Sequence, residues 1–532
     1  MYKLLSVEQI RELERRADEE QGLDGASLMR EAGLALCEAV IDMLEGPSQL
    51  RGDSTAPLAQ KVAIFAGPGN NGGDGWSCAT FLQQRGVRVT VFSVVDINDL
   101  SGIASDAAFV AVNAGVHWTF IDEAAGLEDI FTLIDGADVC VDALLGIGIR
   151  LPLDEHIATI TDALNRCALP VVAADVPTGV DADTGAVDER AVRADCTVTF
   201  MAAKRGLALA PAFAHTGAVM VAPLGLDESA FFDFLGVPEL YTDDDLAQQV
   251  PLPALDANKY TRGRVLIIAG SRQYPGAAVL CARGAVRCGA GYVTLACPES
   301  LVSLMQTHLV TAPVVGLSET REGSISERAL PMLLNLASMA DAIVIGPGLD
   351  RAPKTAQLVR EFVAAVNDKT LVIDADALNA FVDHPEVLTS HEGSLVLTPH
   401  AGELARLLEE ESDKVAAVPL DFARKLAGEK RTVVLKGPIT VVSCAKVQSI
   451  DMFGPPVLAT AGTGDVLAGM MTSFIAQGVD PYRAACIAVR LHGHAAIAAM
   501  EALTPLCVTS EDVAQFIPVG ARNMMMTENG DE

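Results

Sequence analysis

Residues 67 to 75 read GPGNNGGDG, and the first six of them satisfy G-x-G-x-x-G, the pattern of a dinucleotide-binding turn. Such a turn follows a strand and opens a helix, with an acidic residue about 20 positions further on to hold a ribose hydroxyl. The apolar run VAIFAG (62 to 67) supplies the strand, and Asp96 follows the next one. What fills the pattern points elsewhere. Asn70, Asn71 and Asp74 add side-chain oxygens, and Gly73 and Gly75 loosen the backbone past the third glycine, a set for which hydride transfer has little use. A Walker A loop fails too, because no Lys-Ser/Thr follows the glycines. A glycine turn without a ligand is the bland alternative. The ligand-bearing readings share phosphate held by loop amides at a helix N-terminus, with carboxamide oxygens free to bind a cation.

Around this loop, short apolar runs alternate with helix-length segments: VRVTVFSVV (87 to 95), ADVCVDALLG (137 to 146), VVAAD (171 to 175), CTVTF (196 to 200) and AVMVA (218 to 222). Continuous apolar strands in that rhythm imply a parallel sheet covered on both faces. Upstream, Ser6 and Gln9 have capping-box spacing, and Val7, Ile10 and Leu13 share a helix face. A second helix, SLMREAGLALCEAVIDML, precedes a loop expected near 46 to 58. Between 227 and 258 the rhythm stops in an acidic, Pro-containing stretch, and a second α/β series follows: RVLIIAG (264 to 270), YVTLAC (292 to 297), AIVIGPG (342 to 348), TLVIDAD (370 to 376), SLVLTPH (394 to 400) and TVVLKG (432 to 437). We read two tandem α/β domains, 1–235 and 240–532, with no short-period repeat.

Length supports this, since 532 residues exceed one ordinary core. With 38 basic against 69 acidic residues the net charge is −31, which disfavours nucleic-acid or anionic-membrane partners. Eleven cysteines without a CxxC pair, most in apolar runs, are the usage of buried thiols in a reducing compartment. The first residues turn into a charged helix without a signal-peptide core, and the uncharged runs 208 to 226 and 300 to 318 are broken by Pro, Gly and polar residues. A cytoplasmic protein is expected. Apolar helices near both ends suggest a homo-oligomer.

Four ordered motifs, GPGNNGGDG, VDALLGIGIRLPL (141 to 153), AADVPTGVDADTG (173 to 185) and AAKRGLALAP (202 to 211), resemble the NAD(P)H-hydrate epimerase domain over most of residues 1 to 230. The resemblance implies a Rossmann-like three-layer fold that interconverts R and S forms of NAD(P)H carrying water on C6 of the nicotinamide ring. It implies that Asn70, Asn71, Gly72, Gly73 and Asp74 hold the ligand's phosphates. The loop Gly146, Ile147, Gly148, Ile149, Arg150, Leu151 and Pro152 joins them. A potassium ion is implied on Asn71, Asp142 and Thr178; hard cations take oxygen ligands, and both Asp142 and Thr178 lie at or after strand ends. Asp175 is assigned acid/base work at the hydrated ring; its bland reading is a capping Asp before Pro177.

In the second half, GTGD (462 to 465) meets an apolar helix, VLAGMMTSFIA. Amides at a helix N-terminus stabilise a phosphoryl group, and a carboxylate beside them takes a proton from a hydroxyl. An ordinary Gly-Asp cap is the alternative. With AGSRQYPGAAVL (269 to 280), GAGYVTLAC, VIGPGL, VIDADALN, LTPHAGELARLL and LKGPITVV, this motif resembles the NAD(P)H-hydrate dehydratase domain over residues 255 to 520, a ribokinase-like fold. That resemblance implies use of ADP to phosphorylate the C6 hydroxyl of the S epimer, followed by loss of phosphate. Ala277, Gly348 and His400 would contact the hydrated cofactor. Lys436, Gly437, Pro438, Ile439, Thr440 and Gly464 would hold the adenylate, and Asp465 would be the base. His400 reads equally as a satisfied helix-start histidine. Phosphoryl transfer also calls for Mg2+, whose ligands the motifs do not identify. Ala461 before GTGD and the loop FGPPVLAT depart from the family's glycine-rich pattern; Thr178 replaces a common serine and keeps the hydroxyl.

Together the halves imply a bifunctional repair enzyme acting on NADHX, NADPHX and ADP. Two other readings stay open: a ribokinase-type kinase of a small alcohol in the second half, and a binding or scaffold module in the first.

Overall fold

The computed structural model describes residues 1–51, 60–231 and 234–526. Its contacts separate two compact units, Tyr2–Val237 and Pro238–Glu532. The N-terminal unit carries β1 (Tyr2–Leu5), β2 (Lys61–Ala66), β3 (Arg88–Ser93), β4 (His117–Phe120), β5 (Val139–Ala143), β6 (Val171–Ala174), β7 (Cys196–Phe200), β8 (Ala203–Lys204) and β9 (Ala218–Ala222). Seven of these form one sheet in the order β4-β3-β2-β5-β6-β7-β9 with every pair parallel. Side chains alternate between the faces of a strand. On β2, Val62, Ile64 and Ala66 enter a core with Leu36 and Trp76, while Ala63 and Phe65 enter one with Ile130 and Ile157. Helices on both faces therefore make the strand apolar throughout, the pattern visible in VAIFAG.

The strand order reverses between β2 and β5. In open parallel sheets, ligands bind outside the carboxyl ends of the strands at such a switch point. GPGNNGGDG follows β2, and Asp142 lies near the end of β5, so the topology brings them to one crevice. Strand β4, HWTF, is an edge strand with two of its four residues partly polar and most exposed, which is why no apolar run announced it. The Ser6 capping box forms: Gln9 N donates to Ser6 Oγ and Ser6 N to the Gln9 side chain. The second helix, Gly25–Arg51, continues through residues 46–51, where a loop was expected; the rest of that expected loop lies outside the described residues.

The C-terminal unit carries β10 (Glu239–Leu240), β11 (Arg264–Ile268), β12 (Tyr292–Pro298), β13 (Val314–Leu317), β14 (Ala342–Ile345), β15 (Thr370–Ile373), β16 (Leu395–Leu397), β17 (Arg431–Leu435), β18 (Thr440–Ser443) and β19 (Gln448–Asp451). They run β13-β12-β11-β14-β15-β16-β17-β18-β19-β10, parallel from β13 to β17 and antiparallel on both sides of β18. The switch here falls between β11 and β14. The helix Thr463–Ala476, buried over most of its length, packs on β11, β14 and β15. The acidic stretch expected as a linker is partly structured. Arg490 donates to Asp243, Asp451 and the Tyr241 carbonyl, which ties residues 241–243 to the helix Pro481–Ala502. Among the described residues, no helix is long and apolar enough to cross a membrane. All eleven cysteines are free.

Candidate active sites

At the first switch point a cavity of about 700 Å³ opens, within the range of small-molecule sites. Its sheet-end wall is built from Gly69, Asn70, Asn71 and Asp74, from 144–149, and from Asp175 and Lys204. The helix Asn70–Gln84 starts directly after Gly69. An α-helix leaves its first amides without intrahelical partners, and here they belong to Asn70, Asn71 and Gly72. The glycines explain how the helix sits so close to the sheet. A Cβ on Gly72 would lie 2.0 Å from the Gly67 carbonyl oxygen, and one on Gly67 would lie 1.7 Å from that of Leu144.

Not every predicted residue reaches the cavity. The Gly73 amide is spent on the Gly69 carbonyl, and its Cα packs on Met29, so Gly73 shapes the helix instead of facing a ligand. Gly72, Arg150, Leu151 and Pro152 do not line the cavity either, whereas Gly146, Ile147, Gly148 and Ile149 do. Asp96, the ribose-binding candidate of the dehydrogenase reading, accepts from Asn98 N and Nδ2 and caps a short turn.

Asp142 is buried. Its carboxylate accepts from Thr178 Oγ1 (2.7 Å), Thr178 N (2.8 Å) and Leu144 N (3.2 Å). Burial pushes its pKa up to about 6 against those donors. Nearby, both polar atoms of the Asn71 carboxamide are buried without a hydrogen-bond partner, and the side chain abuts Gly146. A buried anion and an unpartnered amide oxygen, with a hydroxyl between Asp142 and the Leu145 amide, are a donor set suited to a hard monovalent cation.

Asp175 follows β6 in a left-handed conformation (φ 63°), which Asp tolerates and which turns its carboxylate toward the crevice. Its Oδ1 accepts from Phe200 N (3.0 Å) and is ion-paired with the buried Lys204 ammonium, which also donates to the Phe200 carbonyl (2.8 Å). Burial, with the Asp175 charge adding to it, pushes Asp74 well above the usual carboxylate range. A cap before Pro177 does not require a buried lysine partner, and Asp175 has one in Lys204. Lys204 was missed although it stands in the quoted AAKRGLALAP motif, because its partner lies 29 residues upstream. The wall formed by Ile10, Arg11, Glu14, Arg15 and Asp18 of the first helix was missed as well.

At the second switch point a cavity of about 470 Å³ is lined by Ala277, Gly348 and Asp465, as expected, and by Tyr274, Asp350, Arg351 and Asp376, which were not. GTGD is the first turn of its helix and does not merely precede it, with Gly462 at φ 94°. Burial first, then repulsion from Asp374, raises Asp465 to about 7. Lys436 Nζ lies 2.9 Å from Asp374 Oδ1, and a Cβ on Gly464 would meet it at 3.4 Å. Burial opposes the Lys436 charge, but Asp374, Glu403 and Asp465 outweigh it and hold the ammonium above its ordinary value. In the turn that follows, Gly437 and Pro438 are exposed, Thr440 opens β18, and Ile439 is buried, so its side chain is turned into the core. His400 caps the helix Ala401–Leu408, its Nδ1 accepting from Gly402 N and Glu403 N, and it does not line the cavity. The satisfied helix-start reading describes its geometry.

Two doubly wound units, each with a helix N-terminus and a perturbed carboxylate at its switch point, define a two-site enzyme of nucleotide chemistry. Residues 25–206 match the family model described as YjeF-related protein N-terminus, and residues 265–519 match NAD(P)H-hydrate dehydratase. The bifunctional NAD(P)H-hydrate repair enzyme Nnr of Moorella thermoacetica is 34% identical over 98% of this chain and 97% of that protein. Its counterpart in Salinibacter ruber is 37% identical over 94% and 92%. The structure of the ADP/ATP-dependent NAD(P)H-hydrate dehydratase from Bacillus subtilis, co-crystallized with ATP/Mg2+, is 26% identical, with a TM-score of 0.46, over 55% of this chain and 99% of that chain. The chain belongs to the family of bifunctional NAD(P)H-hydrate repair enzymes. It is an enzyme with an epimerase half and a dehydratase half, and this reading displaces both the kinase and the scaffold alternatives.

Proposed function

We propose that the cavity in the 1–235 region interconverts the R and S hydrates of NADH and NADPH, and that the cavity in the 240–532 region removes water from the S epimer at the expense of ADP. The observation that carries the reading is the pair of carboxylates, Asp175 on Lys204 and Asp465 beside Lys436, each at a switch point. Inverting C6 requires a bond at that carbon to break and re-form, so a group that gives and takes a proton at the C6 oxygen is needed; we assign that work to Asp175. Asn70, Asn71 and the free amides of the helix start receive the pyrophosphate, and Gly146–Ile149 close over it.

The Asn71, Asp142 and Thr178 oxygens fit a potassium ion. Bound there, such an ion would be held by these oxygens and would offset the Asp142 charge. In the second cavity Asp465, with its raised pKa, accepts the proton of the C6 hydroxyl as the phosphoryl group arrives. Gly464 and its neighbouring amides meet the developing charge, while Lys436 to Thr440 flank the adenylate. Among the described residues no three His, Cys, Asp or Glu side chains are spaced for metal ligation. Magnesium would accompany the nucleotide phosphates, with oxygens from Asp350 or Asp376. Ala277 and Gly348 contact the hydrated ring, and His400 acts at one remove by fixing its helix. Exposed apolar residues near the C-terminus, such as Leu506 and Met526, support a homo-oligomer, which sedimentation velocity checks.

The test is Asp175→Ala in the full chain, with recovery of reduced-nicotinamide absorbance as readout in the presence of ADP. R-hydrate consumption falls to the spontaneous rate while S-hydrate repair continues. Unchanged R-hydrate turnover would show the assignment of Asp175 to be wrong.

A further inference from the structure

The epimerase cavity has a second wall, and the reaction needs one. Inversion at C6 delivers oxygen to one face of the ring and removes it from the other, so groups on a single wall serve only half of it. Asp74, Asp175 and Lys204 all belong to the sheet-end wall. On the helical wall, Val7–Gln21 turns residues 10, 11, 14, 15 and 18 toward the cavity, the spacing of one helix face. Among these, Arg15 is clasped by Glu12 and Glu19. Asp18 lies one turn further along the helix. Glu14 is the carboxylate of this wall that the Asp175 charge acts on and whose own charge acts on Asp74, and among the described residues no hydrogen bond or ion pair holds it.

We infer that Glu14 is the second proton-carrying residue of the epimerisation, serving the ring face turned to the first helix while Asp175 serves the other. The inference rests on the epimerase reading above. In one direction the C6–O bond breaks, Glu14 gives its proton to the departing oxygen, which leaves as water, and the ring-nitrogen lone pair forms the C6–N double bond. Water then adds to C6 from the other face, its proton passes to Asp175, and the nitrogen regains its lone pair. One water leaves and one enters, and one proton moves from Glu14 to Asp175; solvent returns it. In the opposite direction the two carboxyl groups exchange roles, as microscopic reversibility demands.

The electrostatics are consistent with the pairing. Desolvation by the surrounding cavity wall, then the Asp175 charge, raises the Glu14 carboxyl although the residue stays solvent-exposed; Lys204 and Arg11 pull it down without cancelling the rise. On the facing wall Asp175 has Lys204 as a direct partner. Two carboxyl groups in unlike surroundings are the arrangement by which acid and base are told apart in one site.

The experiment compares full-length wild type, Glu14→Gln and Glu14→Asp, with R or S hydrate and ADP, across pH. We expect Glu14→Gln to slow R-hydrate consumption at least about 100-fold, in kcat and with KM little changed, and to lose one limb of the pH profile. Glu14→Asp restores part of the rate and the limb. Repair of S hydrate by the same preparation stays at the wild-type rate and shows that the chain is folded. Turnover of R hydrate by Glu14→Gln within a few-fold of wild type overturns the role of Glu14 alone, as does a loss confined to KM or one that Glu14→Asp shares in full. A wild-type chain that leaves the R epimer unconsumed overturns the epimerase reading and this inference with it.

Discussion

Replacing Asp465 by Asn tests the second site through two independent consequences. The carboxyl is raised from 3.8 to about 7, with burial the largest cause. A folded-state value above the unfolded one means that the folded chain holds this proton more tightly, so the stability from it is present below about pH 4 and lost as pH rises through 7. At 1.36 kcal/mol per unit, a shift of roughly three units corresponds to about 4 kcal/mol as a ceiling, reduced by residual solvent at this partly exposed residue. Asn carries no charge, so the variant escapes that loss. Melting curves at about pH 5 and about pH 8 will show the variant gaining on wild type as pH rises. The kinetic consequence has the opposite sign. Without its base the dehydratase loses about 10²–10⁴-fold on the S hydrate, and the wild-type rate falls about tenfold per pH unit below 7. A stability difference that does not change with pH, or a variant keeping more than a tenth of the wild-type rate, would refute the reasoning.

Three further outcomes follow from the first site. With Asp142 raised to about 6, a potassium ion on the proposed oxygens would compete with a proton there. Potassium will therefore raise the melting temperature of the wild type against a large-cation control at pH 8 and will do so little at pH 5, whereas Asp142→Asn will respond at neither. Lys204→Met leaves the Asp175 carboxylate buried without its partner. It will destabilise by about 3–5 kcal/mol in denaturant titration and abolish R-hydrate consumption, with S-hydrate repair retained wherever the C-terminal unit remains folded. Gly72→Ala drives a methyl into the Gly67 carbonyl and will cost about 1–3 kcal/mol by the same titration, together with R-hydrate turnover.

Much of both sites was legible because it is local. The residues that follow a strand and open a helix in GPGNNGGDG, or that form the first turn in GTGD, are neighbours in sequence, and their chemistry is written in the residue types. Asp142 and Asp175 stand at the ends of apolar runs, but the roles given to them came from the family resemblance. Partners that lie far along the chain were not legible. Lys436 pairs with Asp374 across 62 positions, and Lys204 with Asp175 across 29. Glu14 looks like one more charge on a solvated helix. Strand β4 escaped notice because an edge strand needs no continuous apolar run.

The sequence by itself determined the two α/β series and the glycine-rich turns that follow their strands. Burial on both faces of a parallel sheet forces apolar runs, and close backbone approach forces glycine, so these features must appear in the letters. Only the tertiary structure decided which of those loops meet at a switch point, which carboxylates lose their water there, and which distant lysines answer them. A pKa depends on what surrounds a group in space, and the packing of helices on the sheet supplies those surroundings.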